Sequence, residues 1–109
     1  MIDKYILKGH KPVPEPDIIA WGHWFATADR QVRDTARDDV RVSTVFLGLD
    51  HGFKGRPVLF ETMLFVNGAD AGCERYSTWD EAEAGHARWV AKVFKPTPIL
   101  ALPTEGERT

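Results

Sequence analysis

Apolar residues gather in two runs near the middle of the chain, Val40–Leu49 and Val58–Val66, and the corner between them holds Gly52, Gly55 and Pro57. Both runs are rich in β-branched side chains, which suit a pleated strand better than a helix. Joined by such a corner, they predict an antiparallel hairpin. Side chains alternate across a strand, so the first run presents Val42, Thr44 and Phe46 on one face and Val45, Leu47 and Leu49 on the other. The second divides into Val58, Phe60, Thr62 and Leu64 against Leu59, Glu61, Met63 and Phe65. In any register both faces are largely apolar, and two strands alone do not stand in water. Each face needs a cover or becomes a contact surface.

The flanking segments supply the covers. Ile18, Trp21, Phe25, Ala28 and Val32 recur at helical spacing, with Trp24 on the flank, which predicts an amphipathic helix from Asp17, its cap, to about Asp34. His23, Thr27, Arg30, Gln31 and Asp34 fall on its wet side. Before it, Tyr5-Ile6-Leu7 reads as an edge strand or a packed arm. Pro12, Pro14 and Pro16 then predict a stiff extended connector. Beyond the hairpin, Asn67–Gly72 carries turn chemistry, and Cys73–Tyr76 reads as a short third strand. Thr78 and Glu81 match a capping box, and Ala82, His86, Trp89 and Val93 repeat at helical spacing until Lys95-Pro96 ends the helix. This helix is the second cover, or it shares the first helix's face and leaves the other for a partner. The fold class is therefore α+β, an antiparallel sheet built on a central hairpin in the order (β)-α-β-β-β-α, with helices packed on the sheet. One domain spans residues 1–96, and 97–109 form a Pro-containing tail whose Ile99–Leu102 either stays mobile or docks on a sheet face.

Composition narrows the function classes. With 109 residues and 43% hydrophobic content, one domain with a modest core is expected. Net charge is -2, with acidic and basic residues interleaved through Asp29–Asp39, so no basic footprint for nucleic acid or an anionic membrane is present. The helix-strand-strand-strand-helix order is also that of double-stranded RNA-binding domains. Those meet phosphates with cations at the start of the second helix, where this chain has Asp80, Glu81 and Glu83. The lone Cys73 suits a reducing compartment, and neither a membrane-spanning run nor a signal-peptide pattern occurs, so the expected location is the cytoplasm.

Candidate chemistry centres on Asp50 and His51 at the corner, Glu61 on the second strand and His86 on the last helix. Imidazole and carboxylate are ligand types for zinc, iron or manganese, with His51, His86 and Glu61 as the metal alternative, and they also serve as general acids and bases. The spacing signatures of metal and phosphate sites are missing, and no cofactor is expected. Each residue also has a plainer reading. Asp50-His51 is a turn in which Asp50 caps backbone amides, and His86 is a satisfied core histidine. Glu61 either reaches water at a rim or is buried with a partner such as Arg41, Arg75 or His86. Cys73 has no base beside it in sequence. Of four tryptophans, Trp24 and Trp79 are the candidate interface anchors, and core packing is the plainer reading for all four.

The wording of several segments carries a resemblance. Met1–Leu7, Pro12–Asp17, Val42–His51, Leu59–Met63 and Arg75–His86 resemble a family of short uncharacterised proteins encoded by bacteriophages, prophages and some bacterial genomes. The resemblance spans residues 1 to 94 and leaves out the tail. It implies a mobile-element setting, in which small cytoplasmic proteins commonly bind a host or phage component. The expected function is non-catalytic binding to a protein partner, in an accessory or anti-defence role, with a homodimer suggested by the surplus of apolar surface. The alternatives are a metal-dependent hydrolase or nuclease and a virion or assembly component.

Overall fold

The computed structural model describes residues 3–52 and 55–94. Its elements are β1 (Tyr5–Lys8), β2 (Lys11–Pro14), α1 (Ile18–Thr27), β3 (Gln31–Arg37), β4 (Val40–Phe46), β5 (Phe60–Val66), β6 (Ala69–Tyr76) and α2 (Trp79–Val93). β3-β4-β5-β6 form a four-stranded antiparallel meander, and β1-β2 form a separate two-stranded hairpin. The antiparallel α+β class and the helices packed on the sheet hold. The expected tail contacts of Ile99–Leu102 lie outside the described residues.

Two strands are additional to those expected. The helix read as continuing to Asp34 stops at Thr27, because Ala28 turns extended and the Asp29 carboxylate then accepts the Gln31 amide at 3.0 Å. Arg30 locks this corner. Its guanidinium lies 3.9 Å from the centre of the Phe25 ring and donates to the Phe46 carbonyl at 3.0 Å. Residues 31–37 then run back along β4, and Asp38 adopts the left-handed conformation at φ 55° to make the return. The proline-rich connector is partly β2, which pairs with β1 through Tyr5↔Pro14 to Lys8↔Lys11. An isolated hairpin tolerates proline because edge strands leave amides unpaired.

The central hairpin pairs Val42 with Leu64, Thr44 with Thr62 and Phe46 with Phe60. β6 continues this row, placing Gly72, Glu74 and Tyr76 beside Leu64, Thr62 and Phe60. Asn67 and Gly68, both at positive φ (54° and 78°), make the tight β5-β6 turn, so β6 begins at Ala69 rather than at Cys73 as expected. α2 lies across this face, touching all four strands. Its capping box closes as read from sequence, with Glu81 N donating to Thr78 Oγ1 at 3.1 Å and Thr78 N to Glu81 Oε1 at 3.2 Å.

α1 clamps the small hairpin to the end of β4. Asp17 caps it, accepting the Ile19 amide at 2.9 Å, and Trp21 Nε1 donates to the carbonyls of Tyr5 and Gly48 at 3.0 and 3.2 Å. Trp24 meets Phe46 edge to face at 5.8 Å. Gly48 has φ 79°, and a Cβ there would sit 2.8 Å from the Phe25 ring, so glycine is required on both counts. The core is Val32, Val42, Phe46, Leu59, Phe60, Tyr76 and Ala82. The opposite sheet face, with Arg41, Ser43, Val45, Glu61, Met63, Phe65, Cys73 and Arg75, has no described helix against it. No described helix is long and apolar enough to cross a membrane.

Gly85 sets how closely α2 approaches. A Cβ at this position would overlap the Tyr76 ring. Gly85→Ala is therefore expected to cost about 1–3 kcal/mol by overpacking, although alanine favours helix by about 1 kcal/mol. A urea midpoint unchanged or raised in this variant would contradict the packing described.

Candidate functional site

Beneath α2 the sheet presents two fully buried hydroxyls, Thr44 and Thr62, each 0% exposed. A buried polar group without a partner is costly, so these must be satisfied internally. They are joined to one another at 2.5 Å. His86, 4% exposed, reaches down from α2 and sets Nδ1 2.8 Å from Thr44 Oγ1 and Nε2 2.9 Å from Thr35 Oγ1 on β3. On the other side the Tyr76 hydroxyl lies 3.0 Å from Thr62 Oγ1 and 2.9 Å from Glu74 Oε1. Trp89 Nε1 donates to the same carboxylate oxygen at 2.9 Å. Gly72 makes room for this indole, since a Cβ there would lie 2.9 Å from the Trp89 ring. Thr35, His86, Thr44, Thr62, Tyr76 and Glu74, from four strands and one helix, thus form a continuous polar chain across the interior, which Trp89 joins at Glu74.

Its electrostatics follow from burial. Burial lowers the pKa of the His86 imidazole from the ordinary 6.5; Arg33 pushes the same way and Asp34 against it. Burial pushes the Tyr76 phenol from 10.0 up to about 12, with Glu74 reinforcing the shift and the Thr62 contact opposing it. For Glu74 burial acts upward, but the hydrogen bonds from Tyr76 and Trp89, with Arg88 nearby, prevail and hold the carboxyl below 4.5.

The residues singled out from sequence do not converge. Asp50 caps the corner, its Oδ1 accepting the amides of Gly52 at 2.7 Å and Val58 at 2.9 Å, and His51 is exposed beside it. Glu61 lies on the face away from α2, paired with Arg75 at 2.9 Å, one of the partners expected for it. Cys73 is exposed, and its thiol is shifted upward by burial of its sulfur's surroundings and by the Glu61 contact at 3.4 Å, which disfavours the thiolate. Both ring nitrogens of His86 are engaged by threonines. Among the described residues no group of three or more His, Cys, Asp or Glu side chains is placed to hold a metal ion.

Trp24 and Trp79 are half-buried and pack against the core, Trp79 edge-on to Phe60 at 6.2 Å and stacked by His10 at 3.8 Å. Among the described residues, the exposed large apolar side chains are Ile18 and Ile19, 66% and 68% exposed at the start of α1. With Gly22, His23 and Ala26 they line a shallow apolar concavity on the helix's outer side. Sequence reasoning assigned Ile18 to the buried stripe. The signal against this was that α1 is apolar around most of its circumference, in Ile18-Ile19-Ala20-Trp21, so one side had to remain outside.

A scan of protein-family models finds no match, and neither the curated proteins nor the solved structures yield one.

Tyr76 links the polar chain to stability. Its folded pKa lies above the unfolded value, so its contribution is complete below pH 10 and is lost as pH rises through about 12. Tyr76→Phe strands the Thr62 hydroxyl and is expected to cost about 1–3 kcal/mol at pH 7. The same variant should lose less stability than wild type between pH 10 and 12, measured by urea unfolding. Parallel alkaline profiles would contradict this assignment.

Proposed function

We propose that the protein acts by non-catalytic binding to another protein, using the outer side of α1 as its principal contact. The observation that carries this reading is the pair Ile18 and Ile19, two-thirds exposed on a helix that contains no fully buried residue. A helix apolar on both sides is at home only when both are covered. Trp21, Trp24 and Phe25 use the inner side against Tyr5, Gly48 and Phe46. The outer side is left for a partner, and covering an isoleucine that would otherwise face water contributes about 1.5–3 kcal/mol.

Sheet extension is the less favourable mode. Edge strands β3 and β6 each carry a register shift, at Gln31/Arg33 and at Leu64/Phe65, and the edges bear Arg33, Asp34, Arg37, Asp70, Glu74 and Arg75. Bulges and charges are the devices that discourage edge-to-edge pairing. In the mobile-element setting that the resemblance implies, the partner is a host or phage component, and an anti-defence role is the particular form we favour. The open sheet face around Val45, Met63 and Phe65 is a second, more polar surface on which a second copy of the chain would fit.

Replacing Ile18 and Ile19 together by Glu tests the reading. Acidic residues in a first helical turn are favourable, and α1 has none, so folding should be preserved or slightly improved. Wild type is expected to retain a specific partner from host or infected cells that the double variant loses by at least tenfold, with equal melting temperatures. Equal capture by both proteins, or a monomer that captures nothing, would overturn the proposal.

A further inference from the structure

The polar chain under α2 has one direction, fixed by proton counting. Ionised Glu74 is an acceptor only, so Tyr76 must spend its single proton on Glu74 Oε1, 2.9 Å away. Its oxygen then accepts from Thr62 at 3.0 Å, and Thr62, its proton spent, accepts from Thr44. Thr44 has in turn no proton left for His86. The imidazole must therefore donate from Nδ1 at 2.8 Å, which leaves Nε2 as the acceptor of the Thr35 hydroxyl at 2.9 Å. Thr44, Thr62 and Tyr76 each accept once and donate once along this chain, and Thr35 begins it as a donor. The order runs Thr35 to His86 to Thr44 to Thr62 to Tyr76 to Glu74.

We propose that His86 is an acid-sensitive latch: the neutral imidazole completes a one-way hydrogen-bond chain that holds α2 on the sheet, and a second ring proton breaks the chain and releases the helix. Protonation turns Nε2 from acceptor to donor, so it meets the Thr35 hydroxyl donor to donor unless that hydroxyl rotates away. It also puts a cation at a side chain only 4% exposed, beside two threonines that supply no negative charge. The charged groups around it do not compensate. From β3, Arg33 acts against the imidazolium and Asp34 for it, but Asp34 is held by Arg41 through bonds of 2.8 and 2.9 Å. From α2 itself, Glu83 is paired with Arg33 at 3.3 Å. On β6, Glu74 is committed to Tyr76, Trp89 and Arg88 at the far end of the chain. β4 and β5 face the ring with Thr44 and Thr62.

The sign of the pH effect follows. The lowered folded pKa means that the unfolded chain binds the extra proton first, so the latch is complete above pH 6.5 and weakens as pH falls through the folded value. One proton changes the closed-to-open ratio by at most tenfold per pH unit.

Nitrogen-15 NMR of the imidazoles in the full chain tests this directly. At pH 7.5 His86 is expected as the Nδ1–H tautomer with a slowly exchanging proton. As pH falls from 7 to 5 the amides of residues 79–93 should lose protection, corrected for intrinsic exchange, by up to tenfold per unit. His86→Gln, neutral throughout, is expected to flatten that response, and replacing the exposed His10, His23 and His51 by Asn should leave it in place. The wild-type measurements alone decide the matter if the Gln variant does not fold. An Nε2–H tautomer, titration of His86 at or above 6.5, or α2 protection unchanged down to pH 5 would overturn the proposal.

Discussion

Thr44 and Thr62 sit at the centre of the sheet with no access to water, and the rest of the structure is arranged around satisfying them. In a core of this size two bare hydroxyls would cost several kcal/mol, a large share of the stability of a small domain. The solution is a side-chain chain that begins on β3, passes through α2 and ends at a carboxylate on β6. Because it crosses all four strands and the helix, it specifies where α2 lies as well as that α2 binds. Apolar packing alone is less directional.

Small residues make that arrangement reachable. Gly85 lets the helix backbone come down on Tyr76, and Gly72 lets the Trp89 indole reach Glu74. Alanine at either position would keep the hydrophobic pattern and lose the hydrogen-bond geometry. At the other end of the domain Gly48 plays a comparable part for α1, letting Phe25 lie against the chain while Trp21 bonds to two carbonyls. The two helices are thus held by different means. α2 is tied through its interior face, whereas α1 is tied by tryptophan at one side and leaves Ile18 and Ile19 outward.

What was legible in the sequence was local. Asp17 as a cap, Thr78 with Glu81 as a capping box, Asn67-Gly68 as a turn and Asp50 as a ligand for backbone amides are each decided within a few residues, and each is where sequence placed it. The central hairpin was legible because β-branched density on both sides of a Gly-Pro corner has few other solutions. β3 was not. Val32 satisfies the helical stripe of Ile18, Trp21, Phe25 and Ala28 equally well, and only the Asp29 turn and the left-handed Asp38 reveal the strand. The polar chain was beyond reach for a different reason. Its members are threonines from three strands, a histidine, a tyrosine and a glutamate, and their meeting depends on register, which hydrophobic alternation leaves open by two residues at a time. The same holds for Glu61, whose pairing with Arg75 follows from their being opposite one another in β5 and β6.

Seen together, the interior and the surface divide the work. Asp50, Glu61 and His86 are absorbed in holding the fold, and the exposed isoleucines lie on α1, the surface on which the proposed binding role rests. The central claim is that the buried side chains act as one connected unit, and a double-mutant cycle between Thr44→Val and Tyr76→Phe addresses it. These two side chains do not bond to each other; Thr62 stands between them. A continuous chain predicts a coupling energy of about 0.5–3 kcal/mol between the two substitutions, whereas independent contacts predict additivity within about 0.3–0.5 kcal/mol, and that second result would contradict the account.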